Sequence, residues 1–258
     1  MCGRYVSSWS DEDLMAEFDV AEAVGEAPAA SWNVAPTDAV RVIVERRPSE
    51  DREGDPVRQL RTVSWGLLPS WSRSRSGGAK MINARSETVA VKPAFKAAAA
   101  RRRCLVPSDG YYEWAQENGQ KIPYFLHAQD ERAVAMAGLY EIWHDDSRPA
   151  DDEDAWVWTC TVITRAATDA LGHIHDRCPV LVPPDLHEPW LDCRSGDPLL
   201  AQRLLESIPD PVLVPRQVSR AVGNVRNDGP ELVEEVVQET DQLSLDVDPG
   251  LLGGTLGG

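Results

Sequence analysis

Cys2 can take part in a reaction open to no other position in this chain. The small side chain after Met1 favours removal of that methionine, which leaves a cysteine with both a free α-amine and a thiol. An internal cysteine has its nitrogen locked in an amide. A 1,2-aminothiol reacts with an aldehyde in two steps. The amine condenses to an imine with loss of water, then the thiol adds to the imine carbon and closes a five-membered thiazolidine. An α-amine titrates near about 7.7–8.0, so a useful fraction is neutral at pH 7. The thiol, near about 8.5 when unperturbed, needs modest activation by its surroundings. A Met-Cys start is weak evidence alone, because most such cysteines are ordinary second residues.

A reactive terminus needs a fold to hold it. The chain has 258 residues, 42% hydrophobic and 26% charged, enough for one substantial core and near the upper limit of a single domain. No apolar run approaches a membrane span, and Met-Cys-Gly-Arg-Tyr lacks the apolar stretch of a secretory signal. These features predict a cytoplasmic protein with reduced thiols. Five cysteines (Cys2, Cys104, Cys160, Cys178, Cys193) at irregular spacing argue against a disulfide framework. Ser10 followed by Asp13 is a capping signature for a short helix through Phe18. Pro93 suits the first turn of a helix reaching Arg101, and 197–207 reads as another. Strands are predicted over 40–45, 62–68, 104–107, 110–115, 122–128, 134–143, 156–164 and 212–218, with Asn118-Gly119 as a hairpin turn. The 46–58 stretch reads as a polar loop and 72–78 as a mobile surface loop. Strands outnumber helices without alternating with them. This predicts an α+β fold: one compact domain over 1–240, with a mostly antiparallel, barrel-like β core and peripheral helices. The acidic, Gly-rich 241–258 segment reads as a disordered tail.

The net charge of −16 argues at first sight against a polyanion partner, but its distribution qualifies that. Between Ser70 and Leu105 stand nine basic residues and one acid, Glu87, a local +8 that leaves −24 elsewhere. A basic face on an acidic body is compatible with nucleic acid, though a charge cluster alone more often marks a solvated face. Only four of the 26 basic residues are lysines. This acid-rich, lysine-poor balance suits a high-salt medium; a GC-rich genome would also favour arginine.

Five segments accompany Cys2-Gly-Arg-Tyr5: Asn33-Val-Ala-Pro-Thr37, Trp65-Gly-Leu-Leu-Pro-Ser-Trp71, Ile82-Asn-Ala-Arg-Ser-Glu-Thr88, Arg103-Cys-Leu-Val-Pro through Gly110-Tyr-Tyr-Glu-Trp114, and Ile174-His-Asp-Arg-Cys-Pro179. In order, they resemble the signature of the SRAP family, the SOS-response-associated peptidases or abasic-site processing proteins, from Cys2 to about Trp190. Six ordered blocks are specific where any one alone is not. The resemblance implies a mostly β fold with a groove for single-stranded DNA ending at the N-terminal cysteine. It implies a monomer without metal or cofactor that crosslinks Cys2 to the aldehyde of an abasic site and so protects the lesion. It carries catalytic roles onto Cys2, Asn83, Glu113 and His175, and DNA contacts onto Arg4, Arg85 and Arg177. Pro36 and Trp71 would wedge or stack bases at the lesion. The peptidase activity in the family name reads as self-removal of Met1. One departure is visible: the family's His-Asp-Arg-Met-Pro block has Cys178 in place of Met. Both side chains are soft and apolar, which predicts a packing change rather than lost chemistry. The 46–56 and 145–154 stretches read as peripheral elaborations.

Each role has a simpler alternative. Glu113, between aromatics, is placed for a raised pKa and proton transfer at the imine; it could instead face outward, opposite Tyr112 and Trp114. His175 could protonate the sugar ring oxygen as the hemiacetal opens, or be a core histidine bonded to a carbonyl. Asn83 can orient the amine or sugar, or simply make a turn. Arg85 and Arg177 suit phosphate, or an ion pair with Glu87 or Asp176. Trp71 offers a stacking face, and Trp65 is expected in the core. Three other functional classes compete. A glutamine amidotransferase-type hydrolase would use the Cys2 thiol on an amide. A zinc site could recruit His173, His175 and Cys178 with Cys160 or Cys193. A non-catalytic single-stranded DNA module would not need Cys2 at all.

Overall fold

The computed structural model describes residues 2–47, 54–149, 151–168, 173–192 and 194–236. Among them the strands are β1 (Tyr5–Ser7), β2 (Glu22–Val24), β3 (Ser31–Val34), β4 (Ala39–Arg46), β5 (Val57–Trp65), β6 (Asn83–Arg85), β7 (Arg103–Ser108), β8 (Gly110–Glu117), β9 (Gln120–His127), β10 (Val134–His144), β11 (Trp156–Ala166), β12 (Arg177–Pro179) and β13 (Val214–Gln217). The helices are α1 (Asp11–Glu17), α2 (Pro93–Arg101), α3 (His187–Leu191) and α4 (Pro198–Ser207).

Five strands close on themselves. The order β11-β10-β7-β4-β5 is antiparallel throughout, and a short parallel pairing of β5 with β11 completes the ring. A second antiparallel sheet, β13-β9-β8-β1-β3, packs against one face of it. Val42, Val44, Val63, Trp65 and Val162 of the ring meet Tyr5, Val34, Tyr111 and Leu126 there. The opposite face receives the helices, with Phe95, Ala98, Trp190 and Leu205 on Ile43, Leu60, Leu105 and Ile163. This is the expected α+β architecture.

Local signals explain the elements that patterning predicts. Ser10 caps α1, its hydroxyl accepting from the Asp13 N–H at 3.1 Å. Asn118 and Gly119 both take positive φ (47° and 78°), the requirement of a tight hairpin between β8 and β9. Asp197 caps α4 and Pro198 occupies its first position. Two expectations need correction. β5 starts at Val57 and ends at Trp65, rather than covering 62–68, so the 46–58 stretch is not all loop. Its early polar residues are held across strands: Arg58 pairs with Glu45 at 2.8 Å, and Gln59 donates to Glu22 at 2.6 Å. The basic face is also smaller than its sequence count. Arg103 is buried, donating to the carbonyls of Ala99, Ala100, Trp190 and Asp192 at the ends of α2 and α3. Arg102 pairs with Glu141 at 2.8 Å. Residues 241–258 lie outside the described residues.

Candidate active site

Cys2 leads into β1 and is fully buried. β11 organises its surroundings, because two short strands pair with it side by side. β6 runs parallel to it, setting Asn83 opposite Val162. β12 runs antiparallel, Thr164 opposite Pro179, which brings His175 to the same end. β8 pairs with β1, Tyr111 opposite Tyr5, so Glu113 follows just beyond. Gly110 permits the close pairing of β8 with β9: a Cβ there would lie 2.5 Å from the Leu126 carbonyl oxygen.

The structure therefore brings the four catalytic candidates together. Asn83 donates its amide N–H to the Cys2 carbonyl at 2.7 Å. Its own Oδ1 is buried with no hydrogen-bond partner among the described residues. Glu113 is 3% exposed, so it is not the outward-facing strand residue of the alternative reading. Burial pushes its carboxyl up to about 7, with the Asp176 charge adding to the rise. His175 Nε2 lies 4.0 Å from Glu113 Oε2. His175 Nδ1 accepts from the Arg177 N–H at 2.9 Å, which leaves the ring proton of the neutral form on Nε2, towards Glu113. The same Nδ1 lies 3.0 Å from Asp176 Oδ1, a contact that becomes favourable once Nδ1 is protonated. Burial lowers the His175 pKa, so the neutral ring prevails at pH 7.

The thiol departs from expectation. Burial first, and then the Glu113 charge, push Cys2 well above the ordinary thiol range, so the surroundings favour S–H over thiolate. A thiol in this setting needs a base as it reacts, and the carboxyl near 7 stands beside it. Cys178 is buried in the same cluster as Cys2, its thiol pushed up to about 11 by burial.

The predicted DNA-contacting residues are variously held. Arg4 donates from Nη1 to Asn33 Oδ1 at 2.8 Å and to the Val222 carbonyl at 2.9 Å. Asn33 itself is buried and donates to the carbonyls of Asn224 and Asn227. It tethers the segment after β13 to the site, a role its sequence position does not signal. Arg177 makes a two-pronged pair with Glu87, at 2.6 and 3.0 Å, and donates to the Thr164 carbonyl. Arg85 is exposed and has no ion pair among the described residues. Pro36 sits in a tight turn whose next residue, Thr37, has φ of 80°, unusual for a β-branched residue. The Thr37 N–H donates to the Trp65 carbonyl at 2.8 Å, which holds that conformation. Trp71 is 63% exposed, whereas Trp65 is core, its indole N–H on the Ile82 carbonyl. A cavity of about 640 Å³ between Phe18, Val182 and Val212 is lined by none of these residues. Among the described residues no three His, Cys, Asp or Glu side chains converge to hold a metal.

Comparison with known proteins gives the family of the chain. The family model described as SOS response associated peptidase (SRAP) matches residues 1–225. The abasic site processing protein YoqW of Bacillus subtilis is 33% identical over 236 residues, covering 91% of this chain and 99% of that protein. The abasic site processing protein YedK of Escherichia coli is 31% identical over 245 residues, covering 92% of this chain and all of that one. A crystal structure of a Bacteroides thetaiotaomicron protein superposes with a TM-score of 0.74 at 23% identity, over 92% of this chain and all of that chain. The chain belongs to the SOS response associated peptidase (SRAP) family.

Proposed function

We propose that this protein captures abasic sites in single-stranded DNA by forming a thiazolidine crosslink on Cys2, acting as a cytoplasmic monomer with no metal or cofactor. The observation that carries this reading is Glu113: a buried carboxyl with its pKa near 7, beside the terminal cysteine and 4.0 Å from His175. The names of the relatives, abasic site processing proteins, support the substrate class.

The residues divide the work as follows. Asn83 fixes the Cys2 backbone, and its unpartnered Oδ1 is available to accept from the amine or a sugar hydroxyl. His175, neutral with its proton on Nε2, donates a hydrogen bond to the sugar ring oxygen as the hemiacetal opens, and the C1 hydroxyl proton passes to that oxygen as the aldehyde forms. The amine adds to the aldehyde carbon; protonated Glu113 then protonates the departing hydroxyl, and one water leaves as the imine forms. Glu113, now ionised, takes the S–H proton while sulfur bonds to the carbon of the protonated imine; the C=N electron pair returns to nitrogen, which keeps the hydrogen it already carries. Aminothiol and aldehyde thus become thiazolidine and water. A group with a pKa near the working pH serves both directions of transfer. Arg4, Arg85 and Arg177 would hold phosphates, the last by exchanging Glu87 for the DNA backbone. Pro36 and Trp71 would meet the bases beside the lesion.

The test is the intact mass of the purified protein before and after incubation with an abasic oligonucleotide. The expected result is a chain lacking Met1 that gains the oligonucleotide mass less one water. No adduct, or an equal stable adduct on Cys2→Ala, overturns the proposal. Glutaminase activity measured on the same sample decides against or for the amidotransferase chemistry.

A further inference from the structure

β5 and β11 pair at only two positions, Ser64 with Thr159 and Trp65 with Cys160. Beyond them, towards Thr62 and Trp156, a groove of about 360 Å³ opens between the strands. Ser64, Arg75 and Val157 line this groove and also a narrower cleft of about 140 Å³ that reaches Thr37, next to Pro36. Trp156 and Trp158, two residues apart on β11, face the same side. Both line the groove, and Trp156 is 55% exposed.

The charges at its far end are unusual for this chain. The guanidinium carbons of Arg61 and Arg46 lie 4.1 and 4.8 Å from the centre of the Trp158 ring. Neither forms an ion pair among the described residues, although the chain has excess acid. Arg61 donates to the Gln59 side-chain oxygen at 2.9 Å, and the nearby Glu22 accepts from that same amide group. Burial, and next the Arg46 charge, lower the Arg61 pKa. Arg75 and Arg148 also border the groove, but Asp145 and Asp152 engage them at 3.2 and 2.9 Å. Two guanidiniums sharing one indole, beside an exposed aromatic, make an arrangement that an anion with a flat attachment would complete.

We infer that the groove from Thr37 to Trp158 is a further subsite for single-stranded DNA, where Trp156 stacks an unpaired base and Arg46 with Arg61 binds a backbone phosphate. The inference rests on the proposed lesion-capturing function. Arg61 lies four positions before Trp65 on β5, a distance of ~13 Å, so the subsite would lie a few nucleotides from the lesion. Sequence tolerance follows, because every base offers a face to stack. The exposed Asp154 carboxylate lines the same groove and would weaken rather than aid this contact.

The test uses the full chain and three abasic oligonucleotides: one short, one extended 5′ of the lesion and one extended 3′. Trp156→Ala and the double variant Arg46→Gln, Arg61→Gln should each weaken equilibrium binding to one extended oligonucleotide roughly tenfold. The double variant should also flatten its salt dependence by a slope of about one. Trp156→Tyr should restore the lost affinity. Binding to the short oligonucleotide and the crosslink yield at saturating DNA should stay at the wild-type level. Loss of affinity equal on all three, or on none, overturns the subsite. Failure of the wild-type protein to crosslink any of them overturns the underlying function instead, and is read on a denaturing gel.

Discussion

Glu113→Gln separates the cost of the active-site carboxyl from its use. The folded carboxyl is pushed from an ordinary 4.5 up to about 7, chiefly by burial. The folded state therefore keeps a proton that the unfolded chain has already released. Stability from this group is fully present below the unfolded value, and is lost as pH rises through about 7. Each pKa unit is worth about 1.4 kcal/mol, so ionisation of the buried group costs about 3 kcal/mol at alkaline pH. That is a sizeable share of a typical folding free energy of roughly 5–15 kcal/mol. Glutamine keeps the shape and hydrogen-bonding capacity without the titration. In urea melts at about pH 5 and pH 8, the wild type should lose about 2–3 kcal/mol more than Glu113→Gln between the two conditions. In single-turnover assays the variant should form the imine about 10²–10⁴ times more slowly, the usual worth of general acid–base catalysis. A variant that is less active yet more stable at pH 8 is the expected combination. An unchanged pH slope of stability, or crosslinking at the wild-type rate, would refute the assignment of Glu113 as a perturbed proton shuttle.

Cys2→Ser should still give a borohydride-reducible imine but no stable thiazolidine, and a chain that retains Met1 should give neither; both are read on denaturing gels. His175→Gln should slow ring opening or crosslink reversal with little change in melting temperature, since the ring is partly exposed and its Nε2 contact to Glu113 is 4.0 Å; early melting with normal crosslinking kinetics would make the residue structural. Non-covalent binding to undamaged single-stranded DNA should fall steeply with salt, because phosphate contacts release counterions and multi-molar salt screens charge to a Debye length of about 3 Å or less. The long-time crosslink yield should fall much less, as filter binding and denaturing gels on one salt series would show.

The parts of the molecule legible in the sequence are those where one face of an element is apolar and its ends carry local signals. Val42 and Val44 in β4, the Asn118-Gly119 turn and the Ser10 cap are of this kind. β5 was only half legible because Arg58 and Gln59 hide in its ladder, satisfied by Glu45 and Glu22 on other strands. The site is harder still. β6 and β12 have three residues each, too few for any periodicity, and their pairing with β11 is what makes them strands. Residue roles came through resemblance, which says nothing of local contacts. It is silent on the core position of Arg103 and on the clasp of Arg177 by Glu87, 90 residues away, which only the simpler ion-pair alternative names. Nor could it foretell the thiol. Activation is a sound expectation for a reactive cysteine near a surface, yet folding buries Cys2 beside a carboxyl and drives its pKa upward. The same burial raises Glu113, so a single cause withholds the thiolate and supplies the base that compensates. The proposed chemistry thus depends on a desolvated pair created by strand pairing, and only the assembled fold contains it.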